Sequence, residues 1–157
     1  MKTLVVFYSR TGRTRKAAEK LAELLGAETE ELVEPGKDRG GAVGFMLAGR
    51  DAMLKRPVEL APVAKDPAAF DRVVLGSPVW AFTMCPAIRA YAAAHAGAIR
   101  TAAFFCTHGG GGPSKSFSQA EAVLGKPLIA TLSLLDKAID RGEVDADLAA
   151  FAKRLTG

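Results

Sequence analysis

The stretch Val5-Val6-Phe7-Tyr8-Ser9-Arg10-Thr11-Gly12-Arg13-Thr14-Arg15-Lys16-Ala17-Ala18-Glu19-Lys20-Leu21 decides how the chain is read. Leu4 to Phe7 is a short apolar run rich in β-branched residues, the mark of a buried strand. Thr14, Ala17, Ala18, Leu21 and Leu25 are spaced by 3, 1, 3 and 4 residues and form one helix face that ends at Gly26. Between strand and helix, Ser9-Arg10-Thr11-Gly12-Arg13-Thr14 brings three hydroxyls, a glycine and the unpaired amides of a helix start into one turn. Such a turn is a nest for a phosphate. Arg10, Arg13, Arg15 and Lys16 add positive charge. The competing reading is that Thr11 or Thr14 merely caps the helix.

Outward from this unit, four more apolar runs read as strands: Glu30 to Val33, Val73 to Leu75, Ala102 to Cys106 and Leu128 to Leu134. Helical patterns lie between them. One starts at Pro86 and carries Ile88, Tyr91 and Ala92; another runs from Ser114 through Phe117, Ala120 and Leu124 to Gly125. The last is capped by Asp145 and carries Leu148, Phe151, Ala152 and Leu155, with Lys153 and Arg154 near its negative end. Strands alternating with helices predict an α/β fold, a doubly wound parallel sheet with helices on both faces. At 157 residues the chain is expected to be one domain, 1–157, without repeat or linker. The one long interval between strands holds the glycine-rich segment 35–56, where Phe45, Met46, Leu47, Met53 and Leu54 suggest a further helix, packing on the sheet or on a second subunit.

In such sheets ligands bind beyond the carboxyl ends of the strands. Two further loops therefore carry weight. After the third strand comes Gly76-Ser77-Pro78-Val79-Trp80-Ala81-Phe82-Thr83-Met84-Cys85-Pro86, with the chain's one tryptophan placed in a loop at the ligand edge. Its flat ring suits stacking on a planar heterocycle, or alternatively covers the end of the sheet or a subunit contact. After the fourth strand comes Thr107-His108-Gly109-Gly110-Gly111-Gly112-Pro113. Four consecutive glycines let the backbone approach a ligand and present its amides, at an entropic cost that a plain turn would avoid. Cys85, before a helix start, and Cys106, at a strand end, read as small buried hydrophobes, with a reactive thiol as the alternative for Cys85.

Composition removes several function classes. Hydrophobic residues make up 49% and charged residues 24%, which argues against disorder and coiled coil. Two cysteines cannot build a disulfide framework or a four-ligand zinc site, and no metal site is expected. The opening residues lack a signal peptide's h-region and no stretch is long enough to span a bilayer, so the expected compartment is the cytoplasm, without membrane contact. A net charge of +4 is too mild to demand nucleic acid, and the basic residues of 37–56 are sparse. The dinucleotide fingerprint and the Walker lysine are absent, and a phosphorelay receiver would need acids where Ser9 and Gly76 stand. Neither cysteine brackets the first loop as a tyrosine phosphatase of low molecular weight requires.

The residues 5–21 resemble the signature of the flavodoxin-like family, and Gly76 to Trp80 and Thr107 to Gly112 resemble its two flavin-flanking loops. The resemblance implies a five-stranded sheet of order 2-1-3-4-5 and a non-covalent FMN at the switch point between strands one and three. It also implies residue roles: Ser9, Thr11, Gly12, Arg13 and Thr14 with the amide of Arg10 on the phosphate; Ser77, Pro78, Val79 and Trp80 along one side of the isoalloxazine; Thr107, His108, Gly109 and Gly110 at its pyrimidine end. The chain departs from flavodoxins proper in its basic balance, in Arg13, and in having no aromatic but His108 in residues 107–113, which leaves that flavin face open.

Three functions follow from the resemblance. The first is an FMN electron carrier serving a redox partner protein. The second is an NAD(P)H-dependent quinone or flavin oxidoreductase on the same site, with His108 able to protonate a bound quinone because its unperturbed pKa lies near neutrality. The third is a cofactor-free interaction domain.

Overall fold

Leu4, Val5 and Val6 are wholly buried, and their alternation splits the interior into two cores. In the computed structural model, which describes residues 1–35, 44, 46–48, 50 and 58–157, strand β1 (Thr3–Phe7) lies inside a sheet covered on both faces. Leu4 and Val6 face one core; Val5 and Phe7 face the other. The same period-two pattern repeats in β3 (Arg72–Trp80), with Val73 and Leu75 opposed to Val74. It repeats again in β5 (Ala102–His108), with Phe104 and Cys106 opposed to Ala103 and Phe105. Strands apolar on both faces are what a parallel sheet between helical layers requires.

Helices α2 (Pro86–His95) and α3 (Pro113–Leu124) close the first core through Ile88, Tyr91, Ala120 and Leu124. Helices α1 (Arg13–Leu25), α4 (Asp136–Asp140) and α5 (Asp145–Thr156) close the second through Leu21, Ile139, Leu148 and Phe151. With β2 (Glu28–Glu31) and β6 (Thr131–Leu135) the order is β2-β1-β3-β5-β6, every neighbour parallel. This is the expected order 2-1-3-4-5, with one addition. A two-residue strand, β4 (Thr83–Met84), pairs antiparallel with the end of β3.

That hairpin corrects the reading of Trp80, which ends a nine-residue strand instead of lying in a loop. The third strand runs past Leu75 because Gly76 pairs with Phe105, and a Cβ at Gly76 would stand 2.3 Å from the Phe105 ring. Two strand edges also move. The second strand is Glu28–Glu31, leaving Leu32 to pack below its end, and the last is Thr131–Leu135. Apolar runs locate buried side chains, and here the parallel pairing begins before one run and after the start of the other.

Asp145 does not cap α5. It is the first helical residue after Val144, and its carboxylate pairs with Lys20 on α1. Arg72, buried at the opposite end of the sheet from the loops, donates to the Leu155 carbonyl and to Thr3 Oγ1, tying the last helix to β1. The helix expected within 35–56 falls largely outside the described residues; residues 46–48 are helical, with Ala48 buried in the first core. No helix among the described residues is long and apolar enough to cross a membrane.

Candidate functional site

The turn after β1 is organised by Ser9. Its Oγ accepts the amide of Gly12 at 3.0 Å and that of Arg15 at 3.2 Å, and Gly12 adopts a left-handed conformation (φ 97°) that a side chain would resist. The Lys16 amide donates to the Gly12 carbonyl. The amides of Thr11, Arg13 and Thr14 make no hydrogen bond among the described residues. They are the open donors of a helix start, where the macrodipole favours an anion. Ser9 therefore acts as the cap that was weighed for Thr11 and Thr14. Thr14 is turned inward instead, its Oγ1 2.9 Å from Thr107 Oγ1, a buried bond that joins the first loop to the end of β5.

The charge around this turn is less positive than the count of cations implies. Arg13 donates from Nε and Nη2 to Asp140, both at 3.0 Å, and its Nη1 lies 3.9 Å from Asp136. Arg15 makes a bidentate pair with Glu31 on β2. Both guanidiniums are held above their ordinary pKa chiefly by these hydrogen bonds.

A cleft opens between this turn and the ends of β3 and β5, lined among the described residues by Arg10, Thr11, Arg13, Thr14, Pro78, Val79, Trp80, Thr107 and Asp136. The structure thus brings together eight of the expected residues. Trp80 stands in its wall while most of its surface is buried, with its ring edge-on to Tyr8 at 5.4 Å between centroids. Ser77 is placed elsewhere. It is wholly buried, donating from Oγ to the Pro78 carbonyl at 2.8 Å and accepting the Cys85 amide at 3.0 Å, so it fastens β3 to the start of α2.

His108 is buried at 9% exposure, and its Nδ1 accepts the Gly110 amide at 3.1 Å. That bond commits the Gly110 amide to the protein and puts the imidazole proton on Nε2. Gly109 lies beside Asp136: a Cβ there would be 3.9 Å from Asp136 Oδ2.

Two residues outside the sequence-based site stand at or beside the cleft. Phe82 is 66% exposed, and Ala81 and Phe82 both have positive φ (50° and 63°), closing the tight β3–β4 hairpin. Such turns usually take Asn-Gly, so each residue carries strain of about 1–2 kcal/mol. Phe82 packs on the glycine run. A Cβ on Gly111 would meet its ring at 2.9 Å, and one on Gly112 would meet its Cα at 2.6 Å. The glycines thus admit a neighbouring hairpin, whose Phe82 lies against residues 111 and 112. The available signal was the scarcity of aromatics, which makes a Phe two residues after the Trp noteworthy.

The second residue is Asp136, which follows β6 directly. Burial pushes its carboxyl above its ordinary pKa, against the pull of Arg13, His108 and Arg10. A lone acid after the last strand offered no motif. Both cysteines are buried, and burial pushes their thiols up to about 11 for Cys85 and about 12 for Cys106. Neither has the lowered pKa of a reactive thiol.

No protein-family model and no curated protein sequence matches the chain. Solved structures do. A flavoprotein from Lactobacillus acidophilus NCFM, determined in complex with FMN, is 26% identical, with a TM-score of 0.73 over 89% of this chain and 97% of that one. A protein from Bacteroides uniformis ATCC 8492, provisionally classed as a flavoprotein, is 21% identical with a TM-score of 0.77 over 97% of each chain. Oxidised flavodoxin 1 from Bacillus cereus is 15% identical with a TM-score of 0.58 over 99% of this chain and 97% of that one. Taken with the strand order and a cleft at the carboxyl ends of β1, β3 and β5, these likenesses show that the chain has a flavodoxin-like fold.

Proposed function

We propose that the cleft holds FMN without a covalent bond and that the chain passes electrons between this cofactor and a redox partner protein. The observation that carries the reading is the turn after β1: three amides at a helix start, without acceptors among the described residues, open beside a cleft whose far wall contains an indole. A phosphate fits the amides of Thr11, Arg13 and Thr14. A planar heterocycle fits beside Pro78, Val79 and Trp80. The FMN carried by the 26% identical flavoprotein of Lactobacillus acidophilus supports the same assignment.

Bound FMN supplies chemistry in one- and two-electron steps. The protein's part is to bind the phosphate, orient the ring and set the local charge. The carrier reading is favoured over an NAD(P)H-dependent quinone or flavin oxidoreductase by His108. The side chain suited to deliver a proton to a quinone is buried.

Titration of the purified chain with FMN, followed by loss of flavin fluorescence, is expected to show saturable one-to-one binding that riboflavin matches only weakly. Protein that leaves FMN fluorescence unchanged refutes the assignment. Steady turnover of NADH or NADPH with a quinone, well above the buffer rate, replaces the carrier by the enzyme.

A further inference from the structure

Acids are missing from most of the chain that borders the cleft. From Met1 to Ala18 and from Arg72 to Ala120 the sequence holds no Asp or Glu, and these stretches supply β1 with its turn, the β3–β4 hairpin, and β5 with the glycine run. Among the described residues the acids at the cleft mouth are Asp136 and Asp140, both from the junction of β6 and α4, and Arg13 stands 3.9 Å from the first and 3.0 Å from the second. Four cations on the surrounding elements are exposed and make no ion pair among the described residues: Lys16 on α1, Lys115 in the first turn of α3, Lys137 on α4 and Arg141 directly after it. Phe82, 66% exposed, tops the hairpin that leans on Gly111, beside the start of α3.

An exposed aromatic within a rim of unpaired cations has the makings of a docking surface, an apolar contact with charge around it. Charges of one sign around a cleft raise the potential over its mouth and speed encounter with a surface of the opposite sign. A phosphate held by the turn after β1 would offset charge on that side of the cleft. Lys115 and Lys137 lie on other elements and keep theirs.

We propose that the cleft mouth docks an acidic face of the redox partner protein, with Phe82 as the apolar contact and Lys115, Lys137 and Arg141 steering the approach. This inference rests on the FMN carrier reading above and names the chemistry of the partner. A partner with a basic face would meet repulsion at the same rim.

The test uses the FMN-loaded chain with two electron-transfer proteins of opposite charge. A reduced, acidic plant-type ferredoxin gives one electron to the bound flavin; oxidised cytochrome c, which is basic, takes one from the reduced flavin. In stopped-flow measurements the ferredoxin rate is expected to fall about tenfold or more as salt is raised, and the cytochrome c rate to rise. Lys115→Glu and Lys137→Glu are each expected to slow the ferredoxin about threefold at low salt. Lys153→Glu changes the net charge equally but lies in the last turn of α5, whose end is tied to Arg72 at the far end of the sheet, and should leave the rate unchanged. Phe82→Ala should slow the ferredoxin at high salt as well, where steering is screened. Unchanged FMN affinity certifies that each variant is folded. A ferredoxin rate indifferent to salt, equal slowing by Lys153→Glu, or a Phe82→Ala rate equal to wild type at every salt overturns the inference while the FMN site stands. So does tight binding of a mixed-sequence RNA at physiological salt that Lys115→Glu and Lys137→Glu abolish, which would assign the rim to nucleic acid. A wild-type chain that binds no FMN overturns both readings.

Discussion

The turn after β1 and the glycine run after β5 face the same cleft and are built in opposite ways. The first organises itself, with a single oxygen, Ser9 Oγ, holding two amides of its own turn. The second is shaped from outside. His108 takes one of its amides, while Phe82, from the β3–β4 hairpin, fills the space that side chains at Gly111 and Gly112 would need. A self-organised loop can be read from local residues. A loop shaped by a neighbour can be read only after the neighbour is placed.

The sharpest way to break this contrast is at Gly112. Gly112→Ala places a Cβ 2.6 Å from the Phe82 backbone at a φ of 89°, and is expected to cost about 3 kcal/mol in urea unfolding. Phe82→Ala should not rescue it, since the obstacle is main chain. Gly111→Ala meets only the Phe82 ring at 2.9 Å, so Phe82→Ala should restore most of its loss of about 1–2 kcal/mol in a double-mutant cycle. Equal rescue at both positions would show that the two glycines answer to the same contact.

At the first loop, Ser9→Ala removes the acceptor of two amides and should cost about 1 kcal/mol with no dependence on residue 82. If its cost changes in a Phe82→Ala background, the two loops are coupled through the cleft. A smaller effect separates the charges. Arg13 holds the Asp140 carboxyl below its ordinary value of 3.8, chiefly through their hydrogen bond. A carboxyl depressed in the folded state contributes its stability above the unfolded pKa and loses it as pH falls through the folded one. Acid titration of wild type should therefore show slightly more loss of stability below that pH than Asp140→Asn.

The buried thiols give a control outside both loops. Cys85 and Cys106, pushed up to about 11 and 12, should resist alkylation at pH 8 until the chain unfolds. With folded pKa values raised above the unfolded one, they remove stability as pH rises past about 9. Rapid labelling of the native protein would contradict their burial.

The sheet order and the two layers were legible because Leu4 to Phe7, Val73 to Leu75 and Ala102 to Cys106 are apolar on both faces and alternate with helical periods. The first loop was legible for the same reason: its hydroxyls, glycine and helix start are contiguous. Ser77 was misplaced because its hydroxyl serves Cys85, eight residues on. Phe82 and Asp136 were missed because each gains its meaning from a partner distant in sequence, the glycine run in one case and Arg13 in the other. The cation excess between positions 10 and 16 was overread, since Asp140 and Glu31 offset Arg13 and Arg15.

Strand β5, flanked by β3 and β6 and buried at all seven positions, has a further use as a clock. Its amides can meet deuterated water only when the sheet as a whole comes apart, so their exchange times the global opening of the molecule. The glycines that follow it exchange by local opening. One strand and the loop it feeds thus carry two separate time scales, and a molecule that seats in the cleft will lengthen each by a different factor.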